Sequence, residues 1–335
     1  MVWPVRRDPA GRDGPTPKQA RGARWRRTSR GMYVPSEVDA DRPEQRIAEA
    51  AAALPAYGGV TGWAALRWLG SPWFGGTDAA TYLPVPLATG KRTIRSQSGI
   101  AVSEERLAPT DLEVADRLRV TSAVRAVCFE MRYARSLREA VRAFDMAAYS
   151  DLVTIDELVT YALEHPGWTG IPQCREAVPF LDENCWSPRE VDLRMTWVVE
   201  AGLPRPLSNV PIFDRFGRHI GTPDLLDPVA GVVGEYDGAL HLAGEQRTLD
   251  VRRMEAFRAV GLETFTMLGS DLPRRRQMAD RMIAARKRAL WLPESVRAWT
   301  IVPPRWWIPT TTVAQRRALS EGDRQRWLRL RLRAG

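Results

Sequence analysis

The sequence predicts an α/β protein. Its second half runs in the order αβββαβα around a mixed four-stranded sheet, and a mostly helical α+β domain precedes it. Three observations carry that expectation. Ser187-Pro188-Arg189-Glu190 is a helix start, with a serine cap, a proline at the first helical position where its missing N–H costs nothing, and a glutamate at the third. Between Leu207 and Asp237, short apolar runs are separated by Asp214–Gly217 and Asp227–Gly231, both rich in turn formers. A helical stretch, Glu245–Val260, then leads into another apolar run, Leu262–Met267, and a crossover helix between two strands sets them parallel.

Taken in order, residues 1–30 are rich in Arg, Gly and Pro without periodicity and read as a flexible basic arm. Residues 31–170 read as the α+β domain. Helices are expected at Pro43–Leu54 and Trp63–Leu69, and strands at Thr81–Pro86 and Gly99–Val102. Three helices with apolar residues at three–four spacing follow, at Ser122–Arg135, Ser136–Ala148 and Ile155–Leu163. Ser136 and Glu139 form a capping box, His165-Pro166-Gly167 stops the third of these helices, and a further helix covers Cys174–Phe180. The α/β core occupies 187–290. Its first helix ends before Gly202. Its strands are Leu207–Phe213, Arg218–Leu226, Val232–Asp237 and Leu262–Met267, and a helix at Asp271–Ala289 closes it. Pro211 cannot donate to a ladder, which marks the first strand as an edge. Residues 291–335 form a tail with five tryptophans that ends in a basic helix, Val313–Leu332.

The chain has 335 residues, 44% apolar and 27% charged, enough for two domains with sizeable cores. No apolar run is long enough for a spanning helix, and no apolar segment follows Arg6, Arg7 and Arg12 as in a secretory leader. Cys128, Cys174 and Cys185 lack zinc spacing and fit a reducing cytoplasm, the expected location. Three histidines, His165, His219 and His241, are too few for a His-rich metal site; the first two are expected at turns or on the surface. There is no Gly-rich phosphate loop and no serine nucleophile elbow, which argues against nucleotide hydrolases and α/β-hydrolases. Net charge is +9, which draws a protein toward phosphate backbones. The charge is uneven. Residues 1–30 carry nine Lys/Arg against two Asp (+7), and residues 181–250 carry twelve Asp/Glu against six Arg (−6). An acidic segment inside a basic chain is the pattern of a cation pocket that meets a polyanion; a solvated acidic face gives the same composition.

The acidic residues fall in an apolar hairpin. An antiparallel pair centred on Asp227–Gly231 places Asp224 opposite Glu235, and Glu235 shares a face with Asp237 two residues on. Like charges so placed repel unless a cation lies between them, and carboxylates with water are what Mg²⁺ prefers. Glu190, in the first turn of the preceding helix, is a candidate fourth acid.

Pro223-Asp224 followed by Glu235-Tyr236-Asp237, within an αβββαβα order, resembles the PD-(D/E)XK nuclease superfamily. More narrowly, Glu235-Tyr236-Asp237-Gly238-Ala239-Leu240-His241 is similar to a bacterial group related to the very short patch repair (Vsr) endonucleases. Asp250 and Arg253 on the next helix, and Gly261 before the last strand, extend that likeness, which covers 187–290. The resemblance implies Mg²⁺-dependent hydrolysis of DNA phosphodiesters, with Mn²⁺ an alternative ion. Asp224 and Glu235 would hold the metal, and Glu190 would orient its water or hold a second ion. Asp237 joins this catalytic set. His241 would act as general acid/base or contact the phosphate, or else play a structural hydrogen-bonding role. Asp250 and Arg253 read as a structural i,i+3 pair. Asp237 stands where the superfamily has lysine, although Vsr-like relatives also lack it. No lysine occurs between Ser187 and Ala285, so Lys287 or an arginine would have to serve, and arginine is a poor proton shuttle. A non-catalytic DNA-binding regulator with a degenerate nuclease domain is the alternative.

Arg30-Gly31-Met32-Tyr33-Val34-Pro35 and Gly62-Trp63-Ala64-Ala65-Leu66-Arg67-Trp68-Leu69-Gly70 resemble the AbiEi-type antitoxin family, which implies a regulatory or DNA-targeting module and a cognate toxin as possible partner. Trp63 and Trp68 read as core residues of one helix face. Arg24, Arg26, Arg27 and Arg30 either track phosphates or are solvated. Trp306 and Trp307, beside Arg305, either stack on unpaired bases or strap the tail to the nuclease domain. The arginines from Arg316 to Arg333 either grip DNA or are solvated.

Overall fold

A computed structural model of the chain describes residues 1–78, 81–91, 94, 97–237, 245–329 and 331, with the backbone alone for 245–250. It is mixed α/β, with several helices and mixed sheets. Two units emerge: residues 1–134 with 156–175, and residues 135–155 with 176–335. Among the described residues no helix is long and apolar enough to cross a membrane.

In the first unit, a five-stranded sheet runs in the order Ile100–Ser103, Val85–Ala88, Gly59–Val60, Leu118–Thr121, Leu112–Ala115. The helices Pro43–Ala51, Gly62–Trp68 and Ala123–Tyr133 belong to the same unit. Trp63 is buried in the core, and its indole donates to the Pro84 carbonyl. The expected flexible arm is instead part of a sheet: Val5–Arg6 and Trp25–Ser29 flank Met32–Pro35. Local hydrogen bonds order the Gly- and Pro-rich stretch between them, among them Thr16 N–H to Gln19 Oε1. The Asp8 carboxylate accepts from the backbone N–H groups of Ala10, Arg12 and Asp13, and these bonds hold its pKa below the usual range.

In the second unit, the helix that starts at Ser187 is Pro188–Met195, extended by a π turn over Thr196–Glu200. Ser187 Oγ accepts from Glu190 N–H as the cap. Asp192 of this helix takes ion pairs from Arg138 and Arg142 of the Leu137–Tyr149 helix, and Arg194 pairs with the buried Asp145. Those pairs place the 137–149 helix in this unit rather than with the preceding residues.

Among the described residues the expected four-stranded sheet does not form as such; the strands divide into two three-stranded sheets. One holds Leu225–Asp227, Val232–Asp237 and Glu263–Leu268, the first pair antiparallel and the second parallel, as the crossover helix Glu245–Ala259 dictates. The other holds His219–Gly221, Ile212–Asp214 and Trp299–Thr300. Thr222-Pro223-Asp224 is what splits the expected Arg218–Leu226 strand, because Pro223 has no N–H to give the ladder. An isolated bridge, Leu207 to Leu226, occupies the fourth position.

The two faces of the Val232–Asp237 strand bury separate cores. Val232 packs with Leu193, Trp197 and Phe265; Val233 packs with Leu226, Phe257 and Trp299. Gly221 lets the 245–259 helix approach, since a Cβ there would lie 2.7 Å from the Phe257 ring. The expected basic helix Val313–Leu332 is two short helices, Val313–Arg317 and Glu321–Trp327. Ser320 interrupts it by accepting from Asp323 N–H as a new cap.

Candidate functional site at the open end of the hairpin

The register pairs Leu225 with Gly234, Leu226 with Val233 and Asp227 with Val232. One step further along the same register brings Asp224 opposite Glu235. There the ladder gives way to a side chain, as Asp224 Oδ2 accepts from the Tyr236 N–H at 2.7 Å. Glu235 alternates onto the face of Val233, toward the 245–259 helix. It is 6% exposed, and Arg253 of that helix donates to its Oε2 at 2.8 Å. A carboxylate this buried needs such a partner. Arg253, expected to pair with Asp250, thus faces the hairpin; the Asp250 side chain lies outside the described residues.

Glu190, in the first turn of the Pro188–Met195 helix, is held by two donors. Its Oε2 accepts from Trp186 N–H at 2.8 Å and from Asn209 Nδ2 at 2.6 Å. Burial, with the Asp224 carboxylate adding to it, pushes its pKa up to about 8. Glu190 therefore carries a proton near neutrality.

The folded state binds this proton more tightly than the unfolded chain, whose value is near 4.5. The resulting stability is complete below about pH 4.5 and is lost as pH rises through 8, by up to roughly 1.4 kcal/mol per pH unit. Glu190→Gln keeps an acceptor for both donors and removes the titration. Urea midpoints at about pH 5.5 and 8.5, measured in EDTA, should differ less in the variant than in the wild type. The same difference in both would show that Glu190 does not titrate in this window.

Asp237 ends its strand, exposed, in register with Leu268. His241 lies outside the described residues. Among the described residues, no three of His, Cys, Asp and Glu gather as a group that could hold a metal. His219 is not a surface residue: it is half-buried in its strand, bonded to Thr222 Oγ1 at 3.0 Å and packed against Trp307, and burial lowers its pKa. His165 stands at the turn that ends its helix, where it stacks on Tyr161 and bonds its carbonyl at 2.7 Å.

The residues proposed for phosphate contact separate. Arg26 is committed to a bidentate pair with Glu49, at 2.8 and 2.7 Å. Arg24, Arg27 and Arg30 are exposed in the first unit, and Arg305 is exposed in the second. Of the stripe Arg316–Arg333, Arg316 and Arg331 are buried, so they cannot grip DNA. Comparison of the chain with family models, curated proteins and solved structures finds no match.

Proposed function

We propose that this chain is a divalent-metal-dependent DNA endonuclease of PD-(D/E)XK type, centred on Asp224 and Glu235. The observation that carries the reading is the pair of acids at the hairpin's open end, Asp224 facing Glu235 in register, with the Asp224 charge felt at Glu190. The antiparallel hairpin and the parallel last strand support it. Two carboxylates rather than three fit Mg²⁺ in kind, because that ion keeps several waters and takes one or two protein carboxylates. Mn²⁺ has the same oxygen preference.

When bound, the ion would supply charge stabilisation at the phosphate and a water of lowered pKa. The chain's own residues supply the rest. The Tyr236 N–H fixes the Asp224 carboxylate. Burial raises the Glu190 pKa, which limits the negative charge facing Asp224 before the ion binds. Arg253 brings a fixed cation beside Glu235 and takes over the charge, though not the proton transfer, of the missing lysine. The first unit, with Arg24, Arg27 and Arg30 exposed, serves as a targeting or regulatory module of AbiEi type, with a toxin protein as its possible partner.

The pair between Arg253 and Glu235 favours a second reading, a DNA-binding regulator in which an internal cation has replaced the metal. Purified full-length protein incubated with supercoiled plasmid, with Mg²⁺, Mn²⁺ or EDTA, separates the two. Nicking that requires metal supports the nuclease. Salt-sensitive binding without nicking under either ion overturns it in favour of the regulator.

A further inference from the structure

We infer that a tryptophan-walled cavity beside Glu190 binds a single unpaired nucleotide, with the base between indoles and the phosphate on arginines at the mouth. The cavity has a volume of about 260 Å³ and lies wholly within the second unit. Three indoles shape it. Trp306 and Trp327 are near parallel, 27° apart in plane, with centroids 6.4 Å apart. Trp307 stands across both, at 62° to the first and 67° to the second. Two walls and a floor result. A planar ring held between two others needs about 7–8 Å, twice the carbon–carbon contact distance, so the two indoles must part to admit it. Trp306 is 56% exposed, which leaves indole surface open to a ligand.

A polar group points to the same ligand. Asn209 lines the cavity and is 2% exposed. Its amide orientation is fixed because Nδ2 donates to the Asn184 carbonyl at 2.8 Å and to Glu190 Oε2 at 2.6 Å. Its Oδ1 has no hydrogen-bond partner. Oδ1 is closed to water in this state, so a nucleobase N–H reaches it only as the indoles part.

Charge narrows the choice. Aromatic cages also take quaternary ammonium ions, but Arg326 and Arg329, both exposed, line this one and would repel a cation while attracting a phosphate. The stacked pair of Arg326 and Trp327 extends that cationic rim. A stacked base is sequence-tolerant, so the ligand class is an unpaired nucleotide, either free or within a strand that is single or locally opened. The slot shares Asn209 and Trp186 with the bonds that hold Glu190, which puts it next to that acid.

The test is fluorescence anisotropy on the full-length protein in EDTA with a fluorescein-labelled oligo-dT of about ten nucleotides. Unlabelled single strand, blunt duplex of the same length and thymidine monophosphate are the competitors. Single strand should displace the probe far better than duplex. Trp306→Ala should weaken binding by about tenfold or more, and Trp306→Phe should recover most of the loss. Arg329→Ala, which touches no core, should weaken binding severalfold and flatten its salt dependence. Displacement by the mononucleotide assigns the slot to nucleotides as such; displacement by the strand alone assigns it to nucleotides within a strand. Unchanged binding in Trp306→Ala, or equal competition by duplex and single strand, overturns the inference. The readout is binding without metal, so its failure leaves the hydrolase reading intact, and an inactive hairpin leaves the slot intact.

Discussion

Asp224→Asn and Glu235→Gln are each expected to cut metal-dependent plasmid nicking by about three orders of magnitude, while the thermal midpoint changes little. Both replacements are nearly isosteric and keep one oxygen acceptor. An asparagine in place of Asp224 can still accept from the Tyr236 N–H, and a glutamine in place of Glu235 can still accept from Arg253, so the local bonds survive. What each loses is a full negative charge at the place where the cation would sit. The ion is asked for several kcal/mol of transition-state stabilisation, and about 1.4 kcal/mol is a factor of ten in rate, so three orders of magnitude is the scale of its loss. The measurements are initial nicking rates under saturating Mg²⁺ and circular-dichroism melting of the same samples. Rates within threefold of wild type for both variants would remove the metal from this hairpin. A melted protein would make the result one about folding, which is why alanine is not used.

The hairpin is legible in the sequence because its determinants are local. A turn rich in Pro and Gly fixes the centre, and the period of two then fixes which residues face each other, so Asp224 opposite Glu235 follows from counting. The parallel last strand follows from the length of the crossover helix. Where the sequence misleads, the deciding contacts are distant along the chain or small. Trp299–Thr300 completes a sheet with Ile212–Asp214 across more than eighty intervening residues, and no period announces that partner. Pro223 reads as part of a motif, while its lost N–H also ends a strand. The N-terminal strands are hidden by composition, because bonds such as those to the Asp8 carboxylate and between Thr16 and Gln19 order a stretch that Gly and Pro would otherwise loosen. The usual helix rule points Arg253 to its i−3 neighbour and says nothing of its pairing with Glu235, which depends on how the helix packs across the strand. Asn209 carries no signal at all, since a single Asn at positive φ looks like any turn residue.

Arg316 shows the same limit at its most consequential, and its removal is expected to be the most destabilising single change in the second unit. In the sequence it opens a basic stripe and invites a surface role. In the fold it is 0% exposed. Its Nε donates to Asp151 Oδ1 at 2.6 Å, and its two Nη groups donate to the carbonyls of Thr310 at 3.0 Å, Ala148 at 2.7 Å and Glu183 at 2.9 Å. One guanidinium therefore ties the 313–317 helix to the end of the 137–149 helix and to the segment that leads into Ser187. Its planar fork matches several acceptors at once in a way that lysine cannot. Arg316→Met fills similar volume but leaves three carbonyls and a carboxylate without that donor. Breaking a buried pair by removing one partner costs about 3–5 kcal/mol, and the backbone carbonyls add to that. Arg324 keeps its own bond to Asp151 Oδ2 at 2.7 Å and so limits the loss at the carboxylate. Urea unfolding of Arg316→Met should move the midpoint down by at least about 1 M, given a slope of about 1–3 kcal/mol per molar. Arg317→Met serves as the control. Its side chain is exposed, its Nε bonds the Asp151 carbonyl, and its shift should stay well under half that of Arg316→Met. Equal shifts in the two variants would mean that Arg316 is solvated after all and that the tail is not locked by it.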